Sequence, residues 1–265
     1  MKSTFIREKS LTARKCKYKE VDWFEYSDHE QEAVRRTRRS RSRASPPKIK
    51  KMNNEYSRRY FQWLFFNNFE VGDYHLSLTF DKDHLPNTFD DGKKEVDKYM
   101  RRLRRIYQKA GVELKYLMVY EGRHSKSRLH WHLIINGGKA IDRDAIEDIW
   151  KLGYANADRL RLQGEKSFQQ LSGYLMKEQG NSEKNERSWS SSLNLLRPEK
   201  NPSIVTDDYK ISKRRMKQIQ EAARNDEVRP FVESIYKGFE LIHYRIGTNE
   251  VTGRPFARLC LRRKE

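Results

Sequence analysis

Arg128-Leu-His-Trp-His-Leu-Ile-Ile-Asn136 is the stretch on which the reading of this chain turns. Leu129, Trp131, Leu133 and Ile135 alternate with His130, His132, Ile134 and Asn136, the period of two that marks a half-buried strand. Alternation puts His130 and His132 on the same face, where the two imidazoles can share one divalent cation. Trp131 falls on the other face and reads as core.

Working outward, 113–121 reads as a strand and Gly122 to Arg128 as a turn, so the histidine strand is the return arm of a hairpin. Upstream, Tyr74-His-Leu-Ser-Leu-Thr-Phe80 alternates cleanly, with His75, Ser77 and Thr79 on its polar face. Between these strands, 92–110 has Val96, Tyr99, Met100, Leu103 and Tyr107 at helical spacing, and Gly111 stops it. The opposite side of that helix carries Arg101, Arg102, Arg104 and Arg105, a surface for solvent or for nucleic acid. A second helix, capped by Asp142 and stopped at Gly153, precedes a strand at 154–162. The order β-α-β-β-α-β predicts an α+β fold of the ferredoxin-like, split βαβ type, with an antiparallel sheet. Both helices then pack on one sheet face, and the other presents Ser77, Thr79, His130 and His132 as a ligand-binding surface.

The flanks divide the chain further. Residues 1–51 read as a flexible basic arm, since Arg35 to Lys51 holds nine basic residues, no acids and Ser45-Pro46-Pro47. Residues 52–200 form the central domain, opening with a helix over 54–67. Within it, 165–178 reads as a helix with Phe168, Leu171 and Leu175 inward, and Gln170, Tyr174 and Lys177 on the adjacent flank. Arg187-Ser-Trp-Ser-Ser-Ser-Leu-Asn194 reads as a polar loop with an exposed type of Trp. Residues 201–265 are a basic extension: a helix over 207–225, then a hairpin turning near Thr248-Asn249.

Fifty-six Lys and Arg against 37 Asp and Glu give a net charge of +19 and a pI near 9.8, which points to polyanionic partners. Two cysteines, Cys16 and Cys260, exclude a disulfide framework or zinc knuckle and fit a reducing cytoplasm. No apolar run is long enough to span a bilayer, and no secretory signal is visible, so no membrane partner is expected. No Gly-x-x-x-x-Gly-Lys-Ser/Thr motif occurs, so unwinding is expected from a recruited helicase or from supercoiling.

A divalent cation needs a third ligand beside His130 and His132. Glu121 on the neighbouring strand is the first candidate, with His124, His75, Ser77 and Thr79 behind it. Imidazole plus carboxylate suits Mg, Mn or Zn. Downstream, the Tyr174 hydroxyl is a nucleophile able to attack a scissile DNA phosphate. A metal would polarise the phosphate, and Lys177, one turn along, would lower the phenol pKa or stabilise the leaving group.

These residues carry a resemblance. Leu76-Ser-Leu-Thr-Phe80, then His130-Trp-His132, then Tyr174-Leu-Met-Lys177 resemble the three ordered motifs of rolling-circle replication initiators, the HUH endonucleases. Asn53 to Phe80 and Arg187 to Asn194 resemble the initiators of Gram-positive plasmids, integrative elements and phages. The likeness covers about residues 52–200. It implies nicking and religation of one strand of origin DNA, single-stranded or in a hairpin. The metal, Mg or Mn foremost, would be held by Glu121, His130 and His132, and Tyr174 would end as a 5′-phosphotyrosine beside a free 3′-hydroxyl. Ser77, Thr79, Arg101, Arg102, Arg104, Arg105 and Arg128 are the expected DNA contacts. Host helicase and polymerase are the expected partners, in a bacterial cytoplasm. A conjugative relaxase or single-tyrosine transposase shares the chemistry. A non-catalytic single-strand-binding module would need aromatic residues on the open face, whereas Tyr74, Phe80 and Trp131 fall on the helix side.

Overall fold

The structure is a computed structural model that describes residues 4–13, 17–27, 47–123, 128–161, 168–177, 188–198, 205–208, 211–250 and 252–264. In chain order its elements are β1 (Phe5–Ala13), β2 (Tyr18–Tyr26), α1 (Pro47–Asn68), β3 (Tyr74–Phe80), α2 (Phe89–Lys109), β4 (Tyr116–Glu121), β5 (His130–Ile135), α3 (Arg143–Glu147), β6 (Gly153–Arg159), α4 (Gln169–Leu175), β7 (Trp189–Ser191), β8 (Val205–Asp208), α5 (Lys213–Arg224), α6 (Val228–Ile235), β9 (Phe239–Thr248) and β10 (Pro255–Arg263). The chain divides into two units, residues 54–196 and the combination of 1–53 with 197–265.

Residues 54–196 hold an antiparallel sheet in the order β6-β3-β5-β4-β7. The mixed α+β class is as expected. Tyr74, Leu76, Leu78 and Phe80 of β3 and Trp131, Leu133 and Ile135 of β5 are buried in one cluster with Val96, Tyr99, Met100 and Leu103 of α2 and Ile146 of α3. Their alternation forces this, because each strand has one apolar side and α2 has one apolar stripe to cover it. Thr88 caps α2 by accepting from the Asp91 backbone, and Asp90 and Asp91 lie at the positive end of its dipole. Trp131 is core, stacked on Phe89 and edge-on to Phe80.

Both α2 and α3 pack on one sheet face, and the opposite face is itself partly covered. Leu117, Val119 and Ile134 share a face with His132 by register, and all three are buried. That face is seated against helical structure too: α4 brings Tyr174 and Lys177 over it, and Phe168 at the start of α4 stacks on Phe65 of α1, ring centroids 4.8 Å apart. The polar, solvent-facing part of the face is therefore smaller than the alternation alone implies. Trp189 is no loop tryptophan either. It opens β7, packs on Tyr60 and Phe61, and its indole N–H donates to Ser57 Oγ at 3.0 Å.

The other unit is a sheet in the order β8-β1-β2-β10-β9, and it joins the two flanks of the sequence. Ile6, Val21, Trp23, Leu241, Ala257, Leu259 and Leu261 meet Met216 and Ile219 of α5 and Val228 and Val232 of α6. Reading 1–51 as a flexible arm is thus wrong for 5–26, which form β1 and β2. The dense charge of these strands hides their pattern, and Glu8 on the helix side accepts from Trp23 Nε1 (3.2 Å) and the Tyr236 hydroxyl (2.8 Å). Most of the basic run lies outside the described residues. The expected helix over 207–225 is part strand, β8, and part helix, α5. The C-terminal hairpin turns after Thr248, as its sequence indicates.

Candidate metal centre

Three strands and one helix place the site. Register sets Thr79 opposite His130, Ser77 opposite His132, and Glu121 across from His130 on the far side of β5. Ligand-capable atoms of Glu121, His130 and His132 all lie within 4.8 Å of one another, and no other such cluster of three or more His, Cys, Asp or Glu occurs among the described residues. His130 Nε2 is 3.1 Å from Glu121 Oε2, and His132 Nε2 is 3.6 Å from Glu121 Oε1. Glu121 is only 2% exposed.

Hydrogen bonding behind the rings orients them. His130 Nδ1 lies 2.8 Å from the Arg128 carbonyl, which accepts only, so this nitrogen carries the hydrogen. In the neutral ring, Nε2 is then a lone pair facing a carboxylate. Two acceptors at 3.1 Å require a cation between them, either a proton on the ring or a metal ion. His132 Nδ1 is met by Ser77 Oγ at 3.0 Å and His75 Nε2 at 3.2 Å, leaving Nε2 directed at the site. Glu121 Oε1 and His132 Nε2 are buried and have no hydrogen-bond partner. Orphaned buried atoms of this kind are costly, and a bound cation would satisfy both at once. The donor set, one carboxylate and two imidazoles, suits a divalent ion such as Mg, Mn or Zn.

Charge follows the same geometry. Burial alone would push the Glu121 carboxyl up, but hydrogen bonds from His130 and Lys177 hold it below the ordinary carboxylate value. Glu121's hydrogen bond raises His130 in spite of burial. Burial, with the neighbouring His75, takes His132 down to about 4, so its ring is neutral with a lone pair to offer. Burial also lowers His75.

The helix α4 supplies the remaining groups. Lys177 Nζ is 3.0 Å from Glu121 Oε2 and 4.2 Å from the Tyr174 ring centroid. Burial disfavours the Lys177 ammonium, but Glu121 and the Tyr174 hydroxyl raise it above its ordinary value. Tyr174 is half exposed and sits edge-on to His132, ring centroids 5.9 Å apart. Phe168 and Leu175, the inward stripe, are buried and set this rotation.

The structure brings together Glu121, His130, His132, Tyr174, Lys177 and Ser77. Thr79 is in the adjoining register position beside His130. Arg128 stands at the same end of the sheet, its guanidinium donating to the Phe80 carbonyl at 3.3 Å. Arg101, Arg102, Arg104 and Arg105 are exposed on α2, on the sheet's other side from the triad, and Arg102 donates to the Ile149 carbonyl at 3.1 Å. His124 lies outside the described residues. His75, a weaker ligand candidate by sequence, stands behind His132 as a hydrogen-bond partner. Its position two residues before Ser77, on the same strand face, signals that role.

Comparison with known proteins gives two matches. Residues 73–179, which contain every group just described, match the family model of the replication-associated protein ORF2. The chain is also similar to the replication-associated protein ORF4 of Chlamydia phage 1, 30% identical over an aligned stretch covering 31% of this chain and 26% of the relative. The chain therefore spans about a quarter of the length of that curated relative. No solved structure matches. Among the described residues no helix is long and apolar enough to cross a membrane. The part of this chain that holds the Glu-His-His cluster and Tyr174 is thus the part that is similar to replication-associated proteins.

Proposed function

We propose that this protein is a rolling-circle replication initiator of the HUH type, which nicks and rejoins one strand of origin DNA. The observation that carries the reading is the placement of Tyr174 and Lys177 over the buried Glu121-His130-His132 cluster, within the stretch that matches the replication-associated family model. The four strands β6-β3-β5-β4 with α2 and α3 then correspond to the ferredoxin-like split βαβ arrangement. Residues 54–196 are the nicking unit, and the sheet built from the two flanks is a separate DNA-docking or supporting unit.

In this reading the Tyr174 oxygen bonds to phosphorus as the bond from phosphorus to the 3′ oxygen breaks. The phenolic proton leaves to solvent and the 3′ oxygen gains one, giving a 5′-phosphotyrosine and a free 3′-hydroxyl. A bound Mg or Mn ion would polarise the phosphate oxygens. His130 and His132 hold their lone pairs toward that position, fixed from behind by the Arg128 carbonyl and by Ser77. Lys177 supplies positive charge between Glu121 and the phenol ring, where the pentavalent phosphate gathers negative charge. Ser77, Thr79 and Arg128 would line the strand's approach, whereas Arg101, Arg102, Arg104 and Arg105, on the sheet's other side, would meet only DNA that continues round to α2. A host helicase and polymerase, in a bacterial cytoplasm, would open and extend the nicked origin.

The test is a nicking assay on DNA flanking the encoding gene, with Mn or Mg. A covalent 5′ adduct is expected in wild type. Tyr174→Phe should lose the adduct and keep DNA binding, and His132→Ala should lose metal-stimulated cleavage. A full-strength adduct in Tyr174→Phe, or cleavage unchanged in EDTA, refutes the assignment.

A further inference from the structure

Beyond the triad, one residue of the same sheet face has no role in the structure. Tyr154 on β6 is opposite Thr79, Thr79 is opposite His130, and His130 is opposite Glu121. These four residues form one row straight across four strands. With strands about 4.8 Å apart, Tyr154 lies about 10 Å from His130 along that row. It is 67% exposed, and it makes no hydrogen bond, ion pair or ring contact among the described residues. Its companions on that side of β6 are occupied: Asn156 accepts from Arg143 and donates to Asp158. The inward positions, Ala155 and Ala157, already meet the core.

The backbone beneath Tyr154 is tightly held. Gly153 has φ +145°, and a Cβ there would fall 2.3 Å from the Thr79 carbonyl oxygen and 2.4 Å from the Asp81 nitrogen. Only glycine permits this approach, and Asp81 N–H also donates to the Leu152 carbonyl at 3.0 Å. The aromatic ring is thus presented to solvent from a fixed mount. Beside it, Phe80 pairs with Gly153, and the exposed Arg128 guanidinium is anchored on the Phe80 carbonyl.

We infer that Tyr154 is a base-stacking subsite for single-stranded DNA, with Arg128 taking the adjoining phosphate. An exposed aromatic ring on a fixed backbone, next to a cation and in line with a metal-type cluster, matches how sequence-tolerant single-strand sites are built: bases stack on rings and basic side chains track the backbone. The row would hold the strand so that a phosphodiester two strands away reaches the cluster. This subsite rests on the nicking reading for its purpose, and its binding role stands on its own.

The experiment measures binding of dye-labelled oligothymidylate in EDTA, in a Tyr174→Phe background, with adduct formation followed separately in the Tyr174 protein. Tyr154→Ala should weaken binding about tenfold, the size of one lost base–ring stack, with an unchanged melting temperature. Tyr154→Phe keeps the ring and should bind as the parent does. Photocross-linking with bromodeoxyuridine in the oligonucleotide should label Tyr154. Unchanged affinity in Tyr154→Ala, no binding by the parent, or equal losses in Tyr154→Ala and Tyr154→Phe overturns the subsite. Weakened binding in Tyr154→Ala, with no adduct in the Tyr174 protein, instead overturns the nicking reading and leaves the subsite standing.

Discussion

Glu121, His130 and His132 could hold one cation, and there a proton and a metal ion compete with a measurable sign. Without metal, the proton on His130 bridges to Glu121, which is why its pKa is raised. A histidine raised in the folded state adds stability that is full below its unfolded pKa and is lost as pH rises through its own higher value. Metal needs the same lone pair, so its affinity moves the other way. From about pH 6.5, the ordinary imidazole value, upward through the raised value of His130, metal-free protein should lose stability from this pair while Mn affinity rises; calorimetric titration and thermal melts at each pH read both trends. Glu121→Gln should flatten both. Mn affinity independent of pH would place the ion elsewhere. His132, lowered to about 4, is neutral in the folded protein above that value and adds nothing to the metal slope. Its unfolded ring still takes up a proton below about pH 6.5, so His132, and His75 with it, add stability as pH rises to that value and leave the slope above it to His130.

At the scale of elements, α4 governs where Tyr174 and Lys177 stand. It is a short helix of seven residues, too short to be stable alone, so packing must fix its rotation. Phe168, 2% exposed and parallel to Phe65, is the main anchor. Phe168→Ala should cost about 3 kcal/mol or more in chemical denaturation and reduce cleavage further than the stability loss explains, because Tyr174 and Lys177 lose their seat. Full activity per folded molecule would show that α4 is positioned by other means. The sequence displayed this element well: the Phe168-Leu175 stripe and the Tyr174-Lys177 flank follow from helical spacing alone. So did β3, β5 and the register that pairs their polar faces, since each strand alternates without interruption. Glu121 was legible as a ligand once the hairpin was recognised, although His124 to Ser127 of its turn lie outside the described residues. Other features were illegible for physical reasons. Consecutive charges, Arg7-Glu8-Lys9 in β1 and Lys19-Glu20 in β2, interrupt the alternation and mask the buried Ile6, Val21 and Trp23. The burial of Leu117, Val119 and Ile134, like the stack of Phe65 on Phe168, comes from packing between segments far apart in sequence, which no local pattern displays. Tyr154 carries no pattern of its own; only the strand register places it in the row of the triad.

For the whole molecule, charge and connectivity matter most. Of the net +19, residues 1–53 and 197–265 carry +15 and residues 54–196 carry +4, and Arg35 to Arg43 alone contributes six arginines. Single-strand binding releases condensed counterions, at about 0.7 per phosphate contact. Deleting 35–46, which spares β1 and β2, should lower the slope of log affinity against log salt by up to about 4 if all six arginines contact phosphates. An unchanged slope would remove that run from the binding surface. Deleting 1–50, by contrast, would take away two strands of a five-stranded sheet and test only folding.

The sheet order β8-β1-β2-β10-β9 has a consequence for synthesis. As the chain leaves the ribosome, β1 and β2 emerge ahead of residues 54–196 and can close their hairpin at once, yet their other neighbours, β8 and β10, are translated only after that stretch. Residues 54–196 have all their strand partners within that stretch and can fold meanwhile. The β1-β2 hairpin is therefore buried late, and it waits with two unpaired edges while residues 54–196 are made. The dense Lys, Arg and Glu content of β1 and β2, which obscures them in the sequence, would keep those waiting edges from pairing with other nascent chains.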